Sequence, residues 1–306
     1  MSAAGIERTA DADGPVYFRE WDGPEGLTFV CIHGLGGSHV NWRRVAPGLA
    51  ERGRVLTVDL AGFGRTPLGG RGSDLASNRR LISAFLREAT SGPVVLVGNS
   101  MGGSLSILQA AVEPWSVAGL ILSSPAVPWA RGGRPAAIVA GSFALYRIPG
   151  IGERFGRWRI QALTPERIVE MGFHLTTADP ASVDEETWAA HVEMARERQA
   201  DPDAVPAFLE AARSLLSLGS RRKLARDLMR RVSCPVLHLH GGRDRFVPLA
   251  FAKAASLQPN WELRVFDDLG HALQIEAPDL WLDAVGEWLD LAPLAERAAR
   301  TGNPGA

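Results

Sequence analysis

Two cysteines in 306 residues, Cys31 and Cys234, are too few to staple a fold. Each lies beside an apolar run that reads as a buried strand, so a disulfide framework is excluded and a reducing, cytoplasmic setting is expected. Excess charge of either sign is also missing: 33 basic residues nearly balance 34 acidic ones, for a formal net charge of -1. That balance gives the whole molecule no electrostatic reason to seek nucleic acid or an anionic membrane. The expected partner is a small-molecule substrate, uncharged or nearly so. No apolar run is long enough to span a bilayer. The opening MSAAGIERTADADG holds no long apolar stretch, which argues against a signal peptide or an anchor. A dinucleotide site is excluded on spacing. His33-Gly34-Leu35-Gly36-Gly37-Ser38 follows an apolar run, but the third glycine of G-x-G-x-x-G would fall at His39.

What is present is an alternation. Apolar runs at residues 27–32 (LTFVCI), 55–60 (VLTVDL), 94–97, 117–122 (VAGLIL), 236–240 (VLHLH) and 261–266 read as strands, and a short alternating segment at 15–21 reads as an edge strand. Between them, helical spacing covers 41–51, 75–89, 101–112 and 278–289. Strands alternating with helices imply an α/β fold, a mostly parallel sheet covered on both faces. The rhythm breaks at Ser123-Ser124-Pro125. From residue 126 to about 225 no buried strand is expected, only helices broken by prolines and rich in rings: Trp129, Phe143, Tyr146, Phe155, Trp158, Phe173, Trp188 and Phe208. This reads as a helical cap (126–225) inserted between the two parts of one core (1–125 and 226–306). Most of its rings should pack the cap itself. The basic run Arg221, Arg222, Lys223, Arg226, Arg230 and Arg231 reads as a solvated helix face, with Leu224, Leu228 and Val232 opposite.

The chain is organised around PVVLVGNSMGG, residues 93–103. A buried strand stops at Gly98, presents Ser100, and passes into a helix with apolar positions Met101, Leu105, Leu108 and Val112. Glycines two residues to either side of Ser100 suit a tight strand-to-helix turn that pushes the hydroxyl outward. A serine hydroxyl needs a neighbouring base, and the base needs a group that holds its tautomer. Asp244 follows one predicted strand and His271 the next, so both fall at the sheet edge where Ser100 emerges.

In these residues the sequence resembles the α/β-hydrolase superfamily. His33-Gly34-Leu35-Gly36-Gly37 is similar to the family's oxyanion loop, Gly98-Asn99-Ser100-Met101-Gly102 to its nucleophile elbow, Gly241-Gly242-Arg243-Asp244 to its acid loop, and Gly270-His271 to its base. Asp59 to Gly64, D-x-x-G-x-G, also fits the pattern. The resemblance implies the α/β-hydrolase fold and a catalytic triad of nucleophile Ser100, base His271 and orienting carboxylate Asp244. The backbone N–H groups of Leu35 and Met101 would form the oxyanion hole, with Gly36 as an alternative to Leu35. It implies no cofactor and no metal. His33 is expected to organise the oxyanion loop, and Asp59 to bond its own turn. Asp267 or Asp268 could orient His271 in place of Asp244, and His238 with His240 could hold a metal but lack a clear carboxylate partner.

The expected activity is that of a serine esterase cleaving modestly apolar carboxylic esters. Serine at the elbow argues against the dehalogenase and epoxide hydrolase branches, which place Asp there. Three alternatives stay open: a carbon–carbon bond hydrolase of ring-cleavage products, a perhydrolase or acyl transferase on the same triad, and a non-catalytic ligand receptor on this fold. The elbow is similar to that of the carbon–carbon hydrolases, but those commonly carry an aromatic residue after the base, where this chain has Ala272. The oligomeric state is left open.

Overall fold

The computed structural model describes residues 5–127, 133–292 and 294–298; Trp129 and the tail beyond residue 298 lie outside them. Eight strands form one sheet: β1 (Ile6–Asp11), β2 (Pro15–Trp21), β3 (Thr28–Ile32), β4 (Arg54–Val58), β5 (Val94–Asn99), β6 (Val117–Ser123), β7 (Val236–Gly241) and β8 (Trp261–Phe266). Their order is β1-β2-β4-β3-β5-β6-β7-β8. From β4 to β8 every neighbour is parallel, whereas β2 runs antiparallel to both β1 and β4. The fold is the α/β-hydrolase fold, a mostly parallel sheet flanked by helices. β1 was not expected: five of its six residues are exposed, so no apolar pattern marks it.

Period-two alternation explains how continuous apolar strands feed two cores. Val30, Ile32, Leu56, Leu96, Leu120 and Val236 point to one face, against α2 (Leu75–Ala89) and α3 (Met101–Val112). Phe29, Cys31, Val55, Val95, Ile121 and Leu237 point to the other, where Trp42, Leu49, Trp281 and Trp288 cover them. Both cysteines are free and buried. The single helix expected at 41–51 is instead a 3-10 turn, His39–Trp42, and a four-residue helix, α1 (Ala46–Leu49). The Ser38 hydroxyl and the Asn41 side chain cap that turn reciprocally, and it ends before a full helix can form.

Between β6 and β7 lie α4 (Ala137–Arg147), α5 (Ile151–Ala162), α6 (Pro165–Thr176), α7 (Glu185–Ala200), α8 (Ala204–Ser220) and α9 (Arg222–Arg231). Their rings form a cluster of their own, with Tyr146, Val205 and Leu209 buried beside Phe143, Phe155 and Phe208. α9 buries Ala225 and Met229 in the same core as α3. Leu224 is exposed, so it does not share the apolar face with Leu228 and Val232 as the spacing suggested. The chain closes with α10 (Leu249–Ala255), α11 (Leu273–Glu276), α12 (Pro278–Leu291) and α13 (Leu294–Ala298). No helix among the described residues is long and apolar enough to cross a membrane.

Two helix glycines make opposite demands. A Cβ on Gly102 would stand 2.0 Å from the Ile32 carbonyl oxygen, because α3 starts hard against the end of β3; a Cβ on Gly172, in α6, would meet nothing within 4 Å. Gly102→Ala is expected to destabilise by about 3 kcal/mol through overpacking, and Gly172→Ala to stabilise by about 0.5–1 kcal/mol through helix propensity. Urea melts of the two variants against the parent check both signs.

Candidate active site

Ser100 stands between the last residue of β5 and the first of α3, at φ 54° and ψ −116°. Its N–H donates to Ser123 O at 3.0 Å, and its carbonyl accepts from Ala126 N–H at 2.9 Å and Ser104 N–H at 3.1 Å. These bonds hold a serine in a positive-φ conformation that costs on the order of 1–3 kcal/mol. Asn99 Nδ2 donates to Ser123 O at 3.0 Å and to His271 O at 3.3 Å. The elbow is thereby stitched to the loop that carries the histidine, a link the sequence did not reveal.

Beside the elbow, Gly37 N–H donates to Gly34 O at 3.0 Å. This turn puts Leu35 and Gly36 at its tip, with Gly36 at φ 76°, as a type II turn requires. A Cβ on Gly34 would lie 3.1 Å from Ser100 Cβ. The loop bearing Leu35 and the helix start bearing Met101 thus flank one side chain. His33 holds the loop from beneath. Leu60 N–H donates to its Nε2 at 3.1 Å, which leaves Nδ1 to carry the proton and donate to Gly34 O at 2.7 Å. Burial pushes this imidazole down to about 4, so it stays neutral and structural. Asp59 does more than bond its own turn. It accepts from Arg65 N–H at 2.8 Å and His39 N–H at 2.5 Å, and bonds His39 Nδ1 at 2.9 Å.

Asp244 and His271 meet directly, with Nδ1 2.8 Å from Oδ2. The other carboxylate oxygen accepts from Phe246 N–H at 2.7 Å and Val247 N–H at 2.9 Å. Burial works to raise the Asp244 pKa, but the His271 charge and hydrogen bond, His240 and the Val247 N–H outweigh it and hold the carboxyl below its usual range. With Nδ1–H committed to Asp244, the Nε2 lone pair of His271 is the one available to take a proton. Phe246 lies against the His271 ring, centroids 4.8 Å apart. Asp267 and Asp268 are exposed, and Asp268 pairs with Arg243 at 2.6 Å. His238 and His240 adjoin each other at 5.6 Å. His240 Nε2–H donates to Val247 O at 3.1 Å and lies 3.8 Å from Asp244, while both ring nitrogens of His238 are buried without a hydrogen-bond partner among the described residues. Among the described residues no group of three or more His, Cys, Asp or Glu side chains is placed to hold a metal ion.

The alpha/beta hydrolase family profile matches residues 29–284. The chain belongs to that family, and it is a hydrolase of the α/β fold. It is 27% identical over 289 residues to a 2-hydroxy-6-oxononadienedioate/2-hydroxy-6-oxononatrienedioate hydrolase of Cupriavidus pinatubonensis, covering 90% of this chain and 92% of that one. It is also 27% identical over 271 residues to the dihydrolipoyllysine-residue acetyltransferase component of the acetoin cleaving system of Pseudomonas putida, covering 85% of this chain and 62% of that longer protein. In fold it is similar to the haloalkane dehalogenase DatA of Agrobacterium tumefaciens C58, with a TM-score of 0.80 at 21% identity and 95% and 99% of the two chains covered. The structure of the serine hydrolase CCSP0084 from Cycloclasticus zankles gives 0.75 at 19%, over 93% and 98%.

Two predictions follow from this geometry. Asp244→Asn should lower kcat by orders of magnitude by favouring the wrong imidazole tautomer, while Asp268→Asn, at the exposed pair with Arg243, should stay within a factor of about two. Steady-state kinetics on the two variants checks the ranking. The second concerns acid. His33 and His238 are buried and pushed down to about 4 and about 3, mainly by desolvation. Each is neutral when folded and takes up a proton on unfolding below its ordinary value of 6.5. Their contribution is therefore intact above about pH 6.5 and is lost as pH falls from there toward 4. His238→Phe should make stability between pH 6.5 and 4.5 fall less steeply, by about 1.4 kcal/mol per pH unit, as read by urea melts across that range.

Proposed function

We propose that the protein is a serine hydrolase that cleaves carboxylic esters of modestly apolar substrates. The observation that carries this reading is the 2.8 Å Asp244–His271 bond, tied through Asn99 to the elbow that holds a serine at positive φ. In the proposed reaction the Ser100 hydroxyl oxygen attacks the ester carbonyl carbon while His271 Nε2 takes its proton. The developing oxyanion lies against the backbone N–H groups of Leu35 and Met101, where losing one donor typically costs about 2.7–4 kcal/mol of transition-state stabilisation. His271 returns the proton to the departing alcohol, leaving an acyl group on Ser100. Water deprotonated by His271 then attacks the acyl carbon, and the proton passes back to Ser100 as the acid leaves.

Apolar substrates are favoured by what adjoins the oxyanion loop. Phe208 of α8 would lie 3.3 Å from a Cβ on Gly36, and its ring meets Tyr146 edge-on at 5.1 Å. The cap in this reading is the segment 126–225, with its aromatic cluster as one wall. The Cupriavidus relative favours carbon–carbon bond hydrolysis as the second reading.

The test is one panel. A fluorophosphonate should label Ser100 and fail on Ser100→Ala, which should be folded and inactive. With p-nitrophenyl esters, kcat/KM should rise about fourfold per added acyl methylene from acetate, since each buried CH2 is worth about 0.8 kcal/mol, and then fall once the pocket is full. A monotonic decline from acetate would remove the lipophilic pocket. Faster turnover of a ring-cleavage dienoate than of any ester would move the protein to the second reading.

A further inference from the structure

The strand-to-helix connection that carries His271 is bonded on one side to the sheet's own loops, through Asn99 and Asp244, and on the other to the helices inserted between β6 and β7. His271 N–H and Ala272 N–H both donate to the carbonyl of Thr176, the last residue of α6, at 2.7 and 2.9 Å. Ala272 and Ile275 are buried with Val169, Phe173 and Val192 of α6 and α7. Glu276, only 6% exposed, closes the arrangement. Its Oε2 accepts from Gly270 N–H at 2.7 Å, the residue before the histidine, and its Oε1 accepts from Ala178 and Asp179 N–H, both at 2.9 Å. No ion pair reaches this carboxylate among the described residues. Its charge is met by three backbone donors drawn from two segments about ninety residues apart. Gly270 is pressed so close that a Cβ there would stand 2.7 Å from Ala178 N and 2.8 Å from Thr176 O.

We propose that Glu276 is a positioning residue for His271: its carboxylate clamps the base-bearing loop onto the end of α6, making the helical insertion part of the mounting that aims the imidazole. The physical ground is that an ionised carboxylate accepting backbone N–H bonds in a buried site makes strong, directional contacts, and that a base acts only within a narrow geometry relative to the group it deprotonates. This inference rests on His271 being the base.

Glu276→Gln keeps the shape but replaces one acceptor oxygen with an NH2 that must face a backbone N–H. Assayed with p-nitrophenyl butyrate at 15 °C, well below unfolding, it should lose about tenfold or more in kcat with KM within about twofold, because acyl binding does not involve the clamp. In a His271→Ala background the same substitution should have no further effect, since Glu276 acts only through the imidazole. Gly270→Ala should give the same kcat-selective loss. In the parent protein, the amides of Gly270, Ala178 and Asp179 should exchange with solvent through one common opening. Unchanged kcat in Glu276→Gln, a loss carried in full into the His271→Ala background, or unrelated exchange rates at the three amides would each overturn the proposal. Full activity in His271→Ala would instead sink the assignment of the base, a different failure from these.

Discussion

Much of this molecule depends on holding one serine where serine does not rest. A φ of 54° at Ser100 is stable only because the surroundings over-determine it. The adjacent strand end supplies Ser123 O, which takes both the Ser100 N–H and the Asn99 side chain. The Ser123 hydroxyl is engaged in turn by Trp281 Nε1 at 2.8 Å, from the opposite core. Gly98 and Gly102 let the strand and helix approach without a Cβ between them. The two hydrophobic cores and the elbow are therefore one mechanical unit, tied through a single serine at the end of β6.

Polar groups beneath the site are arranged to stay out of the chemistry. His33 is saturated as a neutral ring, with one nitrogen accepting and the other donating. Asp59 is spent on two backbone N–H groups and the His39 ring. Asp244 differs in one respect: two backbone donors fix one oxygen, and the second is aimed at His271. The same residue types thus take different roles according to which of their lone pairs the fold has already used.

What the sequence disclosed and what it hid follow from where the information lies. Strands such as Val94–Asn99 and Val117–Ser123 are buried along their whole length, so burial writes itself as continuous apolar sequence. The helix Leu75–Ala89 was legible to the residue. β1 was hidden because its pairing with β2 is a backbone matter and its side chains face water. The helix read at 41–51 was misjudged because apolar spacing does not reveal the Ser38–Asn41 cap or the Asp59 carboxylate that captures His39 N–H. Glu276 could not have been found, since its partners are main-chain groups distant in sequence and backbone donors leave no mark on residue type. The meeting of Asp244 with His271 was legible because their loops end neighbouring strands.

The ends of the sheet carry a consequence for how copies of the chain meet. A parallel sheet with open margins offers rows of unused main-chain groups on which another strand could add. Here one margin is β1, a short strand bearing Glu7, Arg8 and Asp11, and the other is β8, where Glu262 and Arg264 are tied to each other and Arg264 also to Glu287. Ionic side chains at both margins make continuation of the sheet from one molecule into the next unfavourable. The long apolar strands, which would be the aggregation-prone segments of this chain, are kept to the interior of the sheet, where no second chain can reach them without unfolding the first.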